Sequence, residues 1–222
     1  MNAPTALARP CGLVLPGVVP YREAVALQES YVGAVLRGED GEKLILLEHP
    51  HVITLGRSFH RENLLFSQEW LAERGVAVEE SGRGGDITYH GPGQLVGYPI
   101  LDIHEKPDLH LYLRMLEELM ICSVQDFGIR AGRKEGLTGI WVGDEKLGAI
   151  GVRVVRWVTS HGFALNVNTD LRCFDYIVPC GIREHGVTSL QKLLGREIPL
   201  ADVRESTIRH FEEIFQRRVS RD

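Results

Sequence analysis

The sequence predicts an α+β fold, a mixed and largely antiparallel sheet with flanking helices, on three observations. Short apolar runs punctuated by Gly and Pro cluster in two blocks, residues 43–103 and 137–168. Long stretches with three- and four-residue apolar spacing lie before, between and after those blocks. Helix and strand signals do not alternate in the regular manner of a doubly wound βαβ array.

In chain order, residues 21 to about 37 repeat Ala24, Leu27, Tyr31, Ala34 and Val35 at helical spacing, and Gly38 supplies a stop. Residues 43–48 and 51–55 are short β-branched and aliphatic strands split by Pro50, which has no N–H for a ladder, and they are expected to form a compact pair. Strand signal continues at 76–80, 86–89 and 95–103, interrupted by Gly82, Gly84, Gly85, Gly91, Gly93 and Gly97. The clearest helix spans 108–127, with Leu109, Leu113, Leu116, Met120, Val124 and Phe127 as its inward stripe and Gly128 as its stop. Within 137–168 the residues alternate as strands, with Gly143-Asp144 as a hairpin turn. Thr188-Ser189-Leu190-Gln191 matches a capping box for a short helix ending at Gly195. A last helix is predicted from about 200 to 217, facing Leu200, Val203, Ile208, Phe211 and Phe215 inward.

A length of 222 residues, 44% hydrophobic and 25% charged, suits a single globular domain over 1–222. No run approaches the ~18 apolar residues of a membrane span, and the opening MNAPTALARPCGLVLPGVVP has no export signal, so a cytoplasmic protein without membrane attachment is expected. The formal charge of −5 excludes a broad nucleic-acid face, leaving local basic groups at Arg130, Arg133 and Lys134 and at Arg153 and Arg156. Cys11, Cys122, Cys173 and Cys180 form no CxxC pair and are expected to be reduced thiols. A zinc set of Cys173, Cys180, His161 and His185 has irregular spacing, and no metal is expected.

Four segments carry candidate chemistry. Arg83-Gly84-Gly85-Asp86-Ile87-Thr88-Tyr89-His90, continuing to Gln94, packs glycines that admit a ligand close to backbone beside donor and titratable side chains; a pair of tight turns would have the same composition. It contains no GxxxxGK[ST] phosphate loop. Val178-Pro179-Cys180-Gly181 presents an unhindered thiol, which needs a neighbouring cation or base to become thiolate because a free thiol has a pKa near ~8.5. Lys146, His90, His161 and His185 are the candidates for that neighbour, while Cys122 and Cys173 read as small buried hydrophobes. Lys146 follows the predicted turn, where it is either a solvated residue or, desolvated, a group that stabilises thiolate and exchanges protons. The run from His161 to Asn168 is strand-like with small residues where a ligand chain could lie.

Taken together these segments resemble the octanoyltransferase family, the lipoyl (octanoyl) transferases. The resemblance covers Leu47-Glu48-His49-Pro50, Thr54-Leu55-Gly56-Arg57, the run from Arg83 to Leu95, Lys146 to Gly151, His161 to Asn168, and Pro179-Cys180-Gly181 followed by Val187-Thr188-Ser189-Leu190. It implies the fold of the biotin and lipoate protein ligase catalytic domain. It implies a reaction in which Cys180 attacks the octanoyl thioester of acyl carrier protein and the resulting acyl-enzyme is discharged onto a specific lysine of a lipoyl domain, the first step of endogenous protein lipoylation. Lys146 matches the family's catalytic lysine. Arg83, Gly84, Gly85, Asp86, Ile87, Thr88, Tyr89 and His90, then Ala149, Ile150 and Gly151, then Gly162, Phe163 and Ala164 match its acyl-site segments, with His161 as an accessory residue. Phe163 stands where leucine is common. The implied partners are octanoyl-acyl carrier protein, the lipoyl domains of 2-oxoacid dehydrogenase E2 subunits and the glycine cleavage H protein. No cofactor is implied, the acyl group arriving on the carrier's phosphopantetheine arm, and a monomer is expected.

Three rival readings differ in measurable ways. An ATP-dependent lipoate-protein ligase of the same fold needs adenylate contacts and no essential cysteine. An acyl-thioester cysteine hydrolase releases free fatty acid instead of an amide. A non-catalytic lipoyl-domain binding module tolerates replacement of Cys180.

Overall fold

The computed structural model describes residues 9–179 and 185–221; Cys180 lies outside them. Among the described residues nine strands form one sheet. Its members in chain order are β1 (Arg9–Val18), β2 (Glu42–Glu48), β6 (Gln94–Ile100), β7 (Gly132–Lys134), β8 (Leu137–Val142), β9 (Glu145–Val155), β10 (Val158–Asn166), β11 (Gly186–Val187) and β12 (Arg217–Ser220). The spatial order is β12-β1-β2-β6-β10-β9-β8-β7, with β11 added beside β9. Pairings from β2 to β7 along this path are antiparallel, whereas β1 lies parallel to both β2 and β12, and β11 parallel to β9. A second sheet of three strands takes β3 (Val52–Leu55) at its centre, between β4 (Ala77–Glu80) and β5 (Ile87–His90).

Side chains alternate across the large sheet, so each strand feeds two cores. Leu44, Leu46, Leu95, Phe163 and Leu165 pack against α3 (Leu109–Gln125) and α5 (Leu200–Phe215). Ile45, Leu47, Val96, Tyr98 and Ala164 pack on the opposite face with α1 (Tyr21–Arg37). A third cluster holds the small sheet through Ile53, Ile87 and Tyr89, covered by Leu71 of α2 (Gln68–Ala72) and by Phe174 from the 3-10 turn Leu171–Tyr176. No helix among the described residues is long and apolar enough to cross a membrane.

The helix signals translate closely, with differences at the ends. Gly38 adopts φ 69° and its N–H closes onto Val35 O, ending α1 where a left-handed residue is needed. Asp108 caps α3 by accepting from the Leu111 amide at 2.9 Å. Leu109 is exposed there, because the buried face runs through Tyr112, Leu116, Leu119, Met120 and Val124. The cap of α4 (Leu190–Leu194) is Ser189, which accepts from Lys192 N; Thr188 is buried before it, so the predicted box is a single serine cap. Residues beyond Phe215 leave the last helix to make β12 on β1.

The expected pairing of 43–48 with 51–55 does not form. His49 turns inward instead, its Nδ1 donating to Val19 O at 2.6 Å and its Nε2 accepting from the Tyr98 hydroxyl at 2.7 Å, and this corner sends β2 and β3 into different sheets. The chain returns from the small sheet at Gly93, whose N–H donates to Glu48 Oε2 at 2.8 Å.

Candidate active site

Arg83 organises the glycine loop from beneath. Its Nε and Nη2 donate to Thr54 Oγ1 at 3.2 and 2.9 Å, Nη2 also reaches Thr54 O at 2.7 Å, and Nη1 reaches Gly84 O at 3.1 Å. Gly84 N then donates to Val152 O of β9 at 2.8 Å, tying the loop to the large sheet. Gly85 has φ 86°, and a Cβ on Gly56 would stand 2.2 Å from Gly85 O, so both positions require glycine. Asp86 accepts from His60 N at 3.1 Å and from Asn63 Nδ2 at 2.5 Å, and Asn63 O receives Val178 N at 2.8 Å. The glycine loop and the chain two residues before Cys180 are therefore braced on one another.

Between the two sheets lies a narrow pocket of about 50 Å³. Arg83, Gly85, Asp86, Thr88 and His90 line it from the loop and β5, Ala149, Ile150 and Gly151 from β9, and Gly162, Phe163 and Ala164 from β10. His161 borders it as well. Ile87 and Tyr89, expected at the ligand, point to the other face of β5 and are fully buried in the small-sheet core, as strand alternation dictates. Gly84 acts through its backbone bond to β9. Tyr21 and Tyr98 also line the pocket and were not legible as site residues, since an aromatic on an apolar helix or strand face has the sequence signature of ordinary core.

The pocket presents mostly apolar surface, and its histidines are uncharged. Burial pushes His90 down to about 3, aided by the neighbouring His49, and pushes His49 and His161 each down to about 4. His161 sits at φ 53° and donates its backbone N–H to Gln28 Oε1 at 2.7 Å. The small residues Ala149, Gly151, Gly162 and Ala164 lie in adjacent register on β9 and β10, leaving a floor without side-chain bulk.

Lys146 stands three residues before Ala149 on β9, roughly 10 Å along the strand. Its Nζ lies 4.8 Å from the Trp141 ring centroid, a cation–π distance, and the same ring is approached by Lys134 Nζ at 5.4 Å and by the His185 ring at 5.3 Å. A register shift in the β8–β9 pairing, where Ile140 meets Gly148 and Trp141 meets Lys146 with Leu147 as the extra residue on β9, sets the indole against Lys146. Lys146 O accepts from Thr188 N at 3.0 Å, continuing the parallel pairing of β11 on β9. Pro179 and His185, the described residues on either side of Cys180, line a common cleft of about 440 Å³ with Phe174 and Val187.

The two local basic groups lie apart. Arg133 is engaged by Glu117 and Glu118, and Lys134 by Asp144 at 2.5 Å, at the Lys146 end of β9. Arg153 lies at the other end of that strand, 3.7 Å from Glu29. Cys173 is buried beside Tyr89 and Cys122 is half-buried on α3; burial raises both thiol pKa values. No group of three or more His, Cys, Asp or Glu among the described residues could hold a metal ion.

Residues 20–212 match the family described as the lipoyl protein ligase A/B catalytic domain. The chain is 52% identical over 208 residues to an octanoyltransferase of Solibacter usitatus, covering 93% of this chain and 94% of that protein. It is 51% identical over 203 residues to an octanoyltransferase of Rubrobacter xylanophilus, covering 90% and 91%. Among solved structures it is similar to a lipoate-protein ligase A bound with ATP, at TM-score 0.78 and 20% identity over 96% of this chain and 88% of that one. A biotin protein ligase from Aquifex aeolicus in complex with biotin and ATP matches at TM-score 0.57 and 14% identity, over 92% and 70%. At those identities the structural likeness concerns the fold.

Proposed function

The chain belongs to the octanoyltransferase family, built on the lipoyl protein ligase A/B catalytic domain, and from that premise we propose that it moves an octanoyl group from acyl carrier protein to a lysine of a lipoyl domain by way of Cys180. The observation that carries the proposal is the small-residue floor of Ala149, Gly151, Gly162 and Ala164, continuous along β9 with Lys146. A mostly apolar pocket with neutral histidines and such a floor suits an aliphatic chain, and the lysine stands on the same strand as that floor.

In the first step the Cys180 thiolate attacks the thioester carbonyl; a carbon–sulfur bond forms, the tetrahedral oxyanion collapses, and the phosphopantetheine thiolate leaves and takes up a proton. In the second, a neutral lysine amine of the acceptor attacks the acyl-enzyme, loses a proton and releases the Cys180 thiolate. Lys146 serves both steps: as a neutral amine it receives the thiol proton, and as an ammonium it steadies the thiolate. The acyl group needs no cofactor on the enzyme, because the carrier's thioester already holds it activated. The acceptors proposed are lipoyl domains of 2-oxoacid dehydrogenase E2 subunits and the glycine cleavage H protein, met by a monomeric enzyme in the cytoplasm.

The test is the intact mass of the protein after brief incubation with octanoyl-acyl carrier protein, comparing wild type with Cys180→Ala. An octanoyl adduct on the wild type alone, discharged by added lipoyl domain, is the expected result. No adduct on either form, with ATP-dependent modification of the lipoyl domain, overturns it in favour of a ligase; an adduct that yields free octanoate in the presence of acceptor makes the protein a hydrolase.

A further inference from the structure

A buried chain of hydrogen bonds runs from His90 in the pocket to the strand of Lys146, and its direction is set by groups that have no choice. The carbonyl of Thr188 only accepts, so Asn166 turns Nδ2 toward it at 3.0 Å and offers Oδ1 to Gln94 Nε2 at 2.9 Å. The same Nε2 group donates to Tyr89 O at 3.2 Å, a second obligatory acceptor. Gln94 Oε1 is thereby left facing His90 Nδ1 at 2.6 Å, and Nδ1 must carry the hydrogen. Thr188 N in turn donates to Lys146 O at 3.0 Å. Gln94 and Asn166 are 2% and 4% exposed, so an unmet amide at either position is costly.

We infer that Gln94 and Asn166 are positioning residues of the transfer reaction, which lock His90 as the Nδ1-protonated tautomer and hold the pocket wall in register with the Lys146 strand. This rests on the proposed acyl transfer. His90 then works as a hydrogen-bond acceptor through Nε2 and never as an acid near neutral pH. The groups facing it agree with that role: the Tyr21 ring of α1 is stacked on it at 6.3 Å, His49 meets it edge-on at 5.7 Å, and Arg83 and His161 both disfavour a second proton. Because all four links point the same way, each polarises the next, and a break at Asn166 is felt at both ends.

The experiment is nitrogen NMR of imidazole-labelled full-length protein, with steady-state octanoyl transfer from carrier protein measured on the same samples. The wild type should show His90 with protonated Nδ1 and bare Nε2, unchanged across about pH 5 to 8, a range in which an ordinary histidine titrates. Gln94→Glu, isosteric but carrying a carboxylate against Nδ1, should give an imidazolium at His90 and a new titration in the pH–rate profile with the same midpoint. Asn166→Asp, which cannot donate to Thr188 O but still accepts from Gln94 Nε2, should keep the His90 tautomer and lower kcat by about tenfold or more while KM changes by less than about threefold. A wild-type His90 protonated on Nε2, or a Gln94→Glu enzyme with the wild-type pH profile, overturns the inference. If the wild type has the stated tautomer but transfers no octanoyl group, the proposed activity and the positioning role both fall, while the tautomer assignment survives.

Discussion

Gly97 of β6 lies directly beneath the ring of Phe163 of β10: a Cβ placed there would stand 2.2 Å from Phe163 Cζ. The two residues face each other across the antiparallel pair, and the absence of a side chain at one is what lets the other lie flat at the pocket edge.

Gly97→Ala should therefore displace Phe163 and destabilise the protein by about 1–3 kcal/mol, with a larger loss of octanoyl transfer than Gly12→Ala, whose Cβ would meet only the flexible Lys43 side chain. Adding Phe163→Leu to Gly97→Ala should recover stability by relieving the overlap. Urea unfolding of the four members of the cycle checks this, and additive losses would remove the claimed contact.

Replacing the Trp141 ring should weaken catalysis without unfolding the sheet. The indole underlies Lys146 Nζ and borders His185, and a partly buried cation–π contact of ~1–2 kcal/mol corresponds to a loss of about 5- to 30-fold. Trp141→Leu should show that loss in single-turnover acylation, and Trp141→Phe, which keeps a ring face, a smaller one.

Stability should fall on acidification through a defined window. His49 and His161 have folded-state values of about 4 and His90 of about 3, all below the ~6.5 of an unfolded histidine, so the unfolded chain binds more protons between those limits. Their contribution is complete above pH ~6.5 and is lost as pH drops toward about 4, at ~1.4 kcal/mol per pH unit for each group titrating. Urea midpoints at a series of pH values measure the slope. His49→Gln, which can still donate to Val19 O, should reduce it by roughly one proton.

Arg217 anchors the C-terminal strand through a two-armed ion pair with Glu42, its Nη2 at 2.9 Å from Oε1, and both side chains are largely buried. Arg217→Ala leaves a buried carboxylate beside Cys11, so a loss of about 3 kcal/mol is expected. Arg217→Lys, with one donor group in place of a fork, should fall between it and the wild type. Thermal unfolding at neutral pH ranks the three.

That strand also marks where the sequence stops being readable. The helix over Tyr21–Arg37 and the hairpin at Gly143 announce themselves through local spacing and a local stop. β12, Arg-Arg-Val-Ser, is too short and too polar to signal a strand, and it forms because β1 lies beside it after nearly the whole chain has intervened. β1 itself contains Pro10, Gly12, Pro16 and Gly17, residues that usually argue against a strand, tolerated here with a register shift between Val14 and Gly17. At the site, residues of the segments 83–90, 149–151 and 161–164 line one pocket, but which face each residue presents is a property of the strand: it takes Ile87 and Tyr89 away and brings in Tyr21 and Tyr98. Gln94 and Asn166 lie within the recognised motifs, yet their meeting across β6 and β10 is a matter of register that no local spacing encodes.

The small sheet leaves the large one after Glu48 and rejoins it at Gly93, two points clasped by a single hydrogen bond. Everything from Pro50 to Gly91 is thus one excursion hung from neighbouring strands, since β2 and β6 pair directly beneath it. Five of the residues that line the pocket, Arg83, Gly85, Asp86, Thr88 and His90, belong to this cassette; the other nine, and Lys146, belong to the rest of the fold. The cassette can therefore shift or strain without bending the strand that mounts the lysine, so the wall that meets the cargo and the support of the reacting groups are mechanically separate parts.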